Sequence, residues 1–150
     1  MAGSASTITY DYESNTPDQI KRIKIAWTSD AAAGTVTATT KRISGTLLYV
    51  VTDPGTAAPT DNYDITIKDE FAIDVLADLG GTNGTAPTLA NRDTTNTEKV
   101  RLVAEDNTVN TIQIPGSRPI VNSPLTVAVA AAGNSKEGTI YIYWTPNVRG

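Results

Sequence analysis

At 150 residues the chain has the length of one ordinary domain, enough to close a single hydrophobic core. Its 12 Lys plus Arg against 16 Asp plus Glu give a formal net charge of −4, so it lacks the basic footprint that nucleic acid or an anionic membrane surface requires. With no His and no Cys, imidazole and thiol catalysis, disulfides and the usual zinc and haem ligand sets are excluded.

Charged residues make up 19% of the chain and hydrophobic ones 39%. Thr, Val and Ile are abundant while Glu, Lys, Gln, Leu and Met are sparse, a balance that favours strands over helices. The opening Met1-Ala2-Gly3-Ser4-Ala5-Ser6 has neither a basic nor an apolar signal region, so the expectation is a chain made without a secretion signal. No stretch approaches the roughly 18 apolar residues of a spanning helix.

In chain order, residues 1–7 are small and polar and read as an N-terminal arm that orders on docking. Ile8, Tyr10 and Tyr12 then alternate with Thr9 and Asp11 as a first strand, interrupted at Asn15-Thr16-Pro17-Asp18. Ile23, Ile25 and Trp27 share one parity and Arg22, Lys24 and Ala26 the other, a one-sided strand. Ser29 to Gly34 turns the chain into a strand over Thr35 to Thr40. Leu47-Leu48-Tyr49-Val50-Val51 is apolar on both parities, which predicts a central strand covered on both faces. Asp53 to Asp61 is a loop. Tyr63, Ile65 and Ile67 form the next strand, with Ile73 and Val75 returning across an Asp69-Glu70-Phe71-Ala72 turn; the competing reading is a short helix over Glu70 to Leu79. Gly80 to Asn96 reads as the main surface loop. Val100 with Leu102, and Ile112 with Ile114, are two further short strands around an Glu105-Asp106-Asn107 turn.

Leu125, Val127 and Val129 lead into Gly133-Asn134-Ser135-Lys136-Glu137-Gly138, and Ile140, Ile142 and Trp144 return, which predicts a hairpin. Tyr141 and Tyr143 then face away from the core. The expected fold is a single all-β domain over the whole chain, an antiparallel β-sandwich or a jelly-roll-like barrel of about eight strands.

The segment Pro124-Leu125-Thr126-Val127-Ala128-Val129 followed by Gly133 to Tyr143 resembles the C-termini of tailed-bacteriophage virion structural proteins. Tyr63-Asp64-Ile65-Thr66-Ile67-Lys68-Asp69-Glu70, Ile73-Asp74-Val75-Leu76, Ala90-Asn91-Arg92-Asp93 and Glu98 are similar to an upstream block of such proteins. The N-terminal 60 residues match only in general β character. Where those proteins carry Gly after the acidic pair, Phe71-Ala72 stands here, which makes Phe71 a packing or contact residue. The resemblance implies a virion protein assembled in the host bacterial cytoplasm, first of all a capsid decoration or cement protein on the major capsid protein lattice. A head-tail connector or tail accessory protein is the near neighbour. It also implies a homo-oligomer on the virion and a scaffold with no reaction and no cofactor.

Asp69, Glu70, Asp74 and Asp78 form an acidic cluster for which calcium or hydrolytic chemistry is imaginable, yet the spacing lacks the alternating Asp pattern of a calcium loop, and solvated turn residues are the simpler reading. Lys21, Arg22 and Lys24, with Lys41 and Arg42, concentrate positive charge and are candidates for contact with an acidic shell surface. Trp27, Tyr49, Tyr141, Tyr143 and Trp144 could instead form a sugar platform, making the chain a carbohydrate-binding receptor-recognition module. The tryptophans share parity with isoleucines and belong in the core, whereas Tyr141 and Tyr143 are outward residues of the kind that anchors protein interfaces. The candidate partner surface is therefore Tyr141, Tyr143, Lys21, Arg22, Lys24 and Phe71.

Overall fold

The computed structural model describes residues 3–11, 20–75, 89–101 and 118–146. Within them the chain runs through β1 (Ala5–Asp11), β2 (Lys21–Thr28), β3 (Val36–Thr39), β4 (Ile43–Pro54), β5 (Tyr63–Lys68), β6 (Leu89–Arg92), β7 (Glu98–Arg101), β8 (Ile120–Ser123), β9 (Thr126–Ala130) and β10 (Glu137–Pro146). One sheet has the order β1-β2-β10-β4, and the far edge of β4 is shared by β8, beside residues 43–46, and β7, beside residues 49–52. The other has the order β3-β9-β5-β6. Neither closes on itself, so the expected all-β fold is realised as an antiparallel sandwich and not as a closed barrel.

Alternation decides what each sheet turns inward. Ile23, Ile25, Trp27, Val50, Ile140 and Ile142 of the six-stranded sheet meet Val36, Ile65, Ile67, Val127 and Val129 of the other in one buried cluster. Tyr63 completes it, tilted against Trp27 with ring centroids 6.1 Å apart. Trp144 is buried in the same cluster, so both tryptophans are core residues, as their parity predicts.

The C-terminal third corrects the sequence reading. β9 belongs to the four-stranded sheet and β10 to the six-stranded one, so the connection between them is an arch across the sandwich and not a hairpin. Two strands that face one core from opposite sides carry the same alternation as two paired neighbours, and period alone does not separate the cases. The link from β2 to β3 is a second arch between the same sheets, and the two are tied together. Buried Ser29 donates its hydroxyl to the Gly133 carbonyl at 2.6 Å and accepts the Lys136 amide at 2.8 Å. Gly34, at φ +64°, lies against the Gly133 backbone so closely that a Cβ would sit 2.9 Å from its nitrogen. Ser29→Ala would take this partner from the part-buried Gly133 carbonyl and Lys136 amide, two hydrogen bonds whose loss is expected to lower stability by about 1–3 kcal/mol. Chemical denaturation with an unchanged slope and a lower midpoint checks it.

Four further differences have local causes. The Leu47–Val51 run is not covered on both faces: Leu47 and Val50 are buried, whereas Leu48, Tyr49 and Val51 are half-buried on the outer side. The register with β10 shifts here, Tyr49 opposing Tyr143 but Leu47 opposing Trp144. Leu48 is thus the extra residue of a β-bulge, which is why apolar residues fall on both parities. Within the expected 80–96 loop, Leu89–Arg92 forms β6. Residues 5–7 of the expected arm are paired with Thr28, Trp27 and Ala26 in β1. After β5 the chain turns back through Asp69, whose carboxylate accepts the Phe71 and Ile73 amides. The return is a single bridge, Lys68 to Asp74, and residues 70–75 are not helical. The expected strand at Ile112 and Ile114, the Glu105 turn and Asp78 lie outside the described residues.

Candidate functional site

The outer face of the six-stranded sheet gathers most of the residues singled out from the sequence. Because Ile23, Ile25, Ile140, Ile142 and Val50 point inward, their neighbours Arg22, Lys24, Tyr141, Tyr143, Tyr49 and Val51 point outward. The register sets them side by side. Asp11 opposes Arg22, Arg22 opposes Tyr143, and Tyr143 opposes Tyr49. One pair further along, Thr9, Lys24, Tyr141, Val51 and Lys99 form a second row across five strands.

The first row is packed within itself. The Arg22 Nε donates to the Asp11 carboxylate at 2.7 Å in a partly exposed ion pair. Asp11 first, and the Tyr143 hydroxyl after it, accept from the guanidinium and hold the Arg22 pKa above its usual value. The Arg22 guanidinium also lies 5.3 Å from the Tyr141 ring centroid. Tyr143 stacks on Tyr49 with centroids 4.3 Å apart and ring planes 21° from parallel. From the other side of β4, the Lys99 ammonium sits 4.0 Å from the Tyr49 centroid. A surface ion pair in such a setting contributes little stability, whereas stacked and cation-capped rings contribute about 0.5–1.5 kcal/mol each.

The Tyr49 ring is taken up by Tyr143 and Lys99. A sugar needs an open ring face to stack on, and Tyr49 offers none. A polar, acidic protein surface needs donors and positive charge at fixed positions, and this face supplies both.

The other candidates lie elsewhere. Lys21 opposes Trp144 on the core-facing parity at the start of β2 and is half-buried, so it is not part of the outer rows. Phe71, 76% exposed, is on the turn after β5 in the four-stranded sheet, where a groove is lined by Asp69, Glu70, Asp74 and, from β8, Ile120 and Asn122. Lys41 packs its ammonium 5.2 Å from the Tyr10 centroid, and Arg42 binds Glu70 at 2.6 Å. Asp11 and Lys99 were not legible as site residues. Asp11 ends a plain alternating strand, and Lys99 lies on a four-residue strand with one apolar residue, Val100.

The described members of the acidic cluster are spent on structure. Asp69 closes its turn, Glu70 meets Arg42, and Asp74 is buried, not solvated as expected. Among the described residues no three acidic side chains are gathered as metal ligands would be. A second groove, between the ends of β1, β2 and β10, is lined by Ala5, Thr7, Trp27, Gly55, Glu137 and Gly138 among others, and Glu137 is its one ionisable side chain. A lone carboxylate does not make the pair that glycoside hydrolysis uses.

Comparison with protein-family models, with curated proteins and with solved structures finds no match to this chain. No helix among the described residues is long and apolar enough to cross a membrane.

Proposed function

We propose that the chain is a non-enzymatic virion structural protein, in the first place a capsid decoration protein, that docks on the assembled major capsid protein lattice through the outer face of its six-stranded sheet. The observation that carries the reading is the Asp11, Arg22, Tyr143, Tyr49 row together with the Lys24, Tyr141, Lys99 row beside it. A chain of net charge −4 places three cations and three tyrosines on one sheet face, and Arg22, Tyr49, Tyr141, Tyr143 and Lys99 are already held by ring contacts and hydrogen bonds, so less side-chain freedom remains to be lost on docking. Tyrosine and arginine are the side chains that most often dominate binding energy when desolvated at the centre of an interface. The resemblance of the C-terminal segments to virion proteins supports the choice of partner. The sugar-binding reading has less support, because Tyr143 and Lys99 take up the Tyr49 ring and Arg22 lies over Tyr141.

A small domain that spans neighbouring subunits gains affinity from several weak patches held at fixed spacing. Binding is therefore expected to belong to the lattice. Mixed with undecorated expanded shells and, separately, with unassembled capsid subunits, the protein should co-sediment with shells and bind subunits at least about tenfold more weakly. Equal affinity for both would overturn the cement reading, as would an absence of binding to shells.

A further inference from the structure

We infer that β1 is a docking edge for a second copy of this chain, the two β1 strands pairing antiparallel about a two-fold axis at Ile8. This does not rest on what the outer face binds.

Among the described residues each sheet leaves edges whose backbone N–H and C=O groups have no strand partner, and proteins usually blunt such edges with short strands, charges, Pro or bulges. Here β3, β6, β7 and β8 are each four residues long, and β7 carries Glu98 and Lys99. β1 is different. Its seven residues, Ala-Ser-Thr-Ile-Thr-Tyr-Asp, contain no Pro, Lys or Arg, and they run in unbroken register with β2 from Ala5 opposite Thr28 to Asp11 opposite Arg22. Its one charge, at the end, is already engaged by Arg22. Among the described residues its only strand partner is β2, and Ala5, Ser6, Thr7 and Thr9 are exposed.

The segment also fits itself. Turned about Ile8, the antiparallel pairing sets Ile8 against Ile8, Thr7 against Thr9, Ser6 against Tyr10 and Ala5 against Asp11. No like charges meet, and threonines face each other across strands, a favourable cross-strand pair. The pairing keeps parity. Ile8 and Tyr10, which pack partly on the core, stay on the inner side, and Thr7, Thr9 and Asp11 stay on the outer side. Two six-stranded sheets thus become one continuous sheet with both tyrosine rows on the same surface. A two-fold contact of this kind is the commonest closed arrangement of identical chains, and strand addition draws its affinity from main-chain hydrogen bonds.

Sedimentation equilibrium of the full chain over a concentration series tests the pairing. The parent is expected to form a dimer. Thr7→Glu with Thr9→Glu puts like charges opposite each other twice and should weaken that dimer about tenfold. Thr7→Lys with Thr9→Glu differs only at position 7, puts opposite charges together, and should restore it. The shared Thr9→Glu change faces Lys24 within the monomer, so folding is not at risk from it. Because the chain has no Cys, Ile8→Cys should oxidise to a covalent dimer, since directly opposed strand residues lie within disulfide reach; Ala5→Cys should not. A parent that stays monomeric, two charge variants that associate alike, or equal cross-linking from positions 5 and 8 would each overturn the inference. So would a monomeric parent that accepts an added extended peptide along β1, because the occupant would then be another chain.

Discussion

Gly45→Val is expected to be the most damaging single change to the fold, lowering stability by about 3 kcal/mol or more. Gly45 lies just beyond the Leu48 bulge and opposes Pro146. A Cβ there would overlap the Thr145 carbonyl oxygen and come within 2.8 Å of the Trp144 ring. The obstacle is the backbone of β10, the strand that joins β2 to β4, so no rotamer change relieves it. The whole sheet would have to part where two central strands meet. Denaturant titration measures the loss, and a variant within about 0.5 kcal/mol of the parent, the range of an ordinary surface change, would show that β10 does not approach β4 this closely.

The second large effect is on binding. Tyr141→Ala combined with Tyr143→Ala removes two of the three outer tyrosines, strips Tyr49 of its stacking partner, and takes from Arg22 both its ring contact and its hydroxyl acceptor. Both rings are half-buried on the solvent side of the sheet, and the inward Ile140, Ile142 and Trp144 are untouched, so the loss of stability should stay within about 1–3 kcal/mol, the value of one stacked pair and one cation–ring contact together. Affinity for shells should fall about 100-fold, or roughly 2.7 kcal/mol, as for a pair of interface hot spots. Thermal melts of the isolated variant alongside shell co-sedimentation separate the two. A variant that binds shells as the parent does would remove the tyrosines from the interface. One that unfolds outright would make them structural.

How far the sequence reached can be followed residue by residue. The parity of Ile23, Ile25 and Trp27, and of Ile140, Ile142 and Trp144, was enough to place the core and to send Arg22, Lys24, Tyr141 and Tyr143 to the opposite face, because alternation has only two outcomes once one face is apolar. That Tyr141 and Tyr143 lie beside Arg22 and Lys24 depends on β10 pairing with β2, and no local pattern carries that information. The same gap explains the false hairpin, since Val127, Val129, Ile140 and Ile142 look alike whether they pair or face one another across the core. β6 and β8 went unread because Leu-Ala-Asn-Arg and Ile-Val-Asn-Ser are too short for a period to emerge. Phe71 stood out in the sequence through its turn position; it is exposed, but it lies on the four-stranded sheet's side and does not join the tyrosine row.

The claim that the outer face of β2, β10 and β4 is the docking surface is tested most directly by hydroxyl-radical footprinting of the protein free and bound to shells. Tyr49, Tyr141 and Tyr143 should be oxidised several-fold more slowly when bound, while Phe71 and Ile120, exposed beside the groove at β8, should keep their rates. Tyrosines oxidised as fast on the shell as in solution, with protection at Phe71 and Ile120 instead, would contradict it.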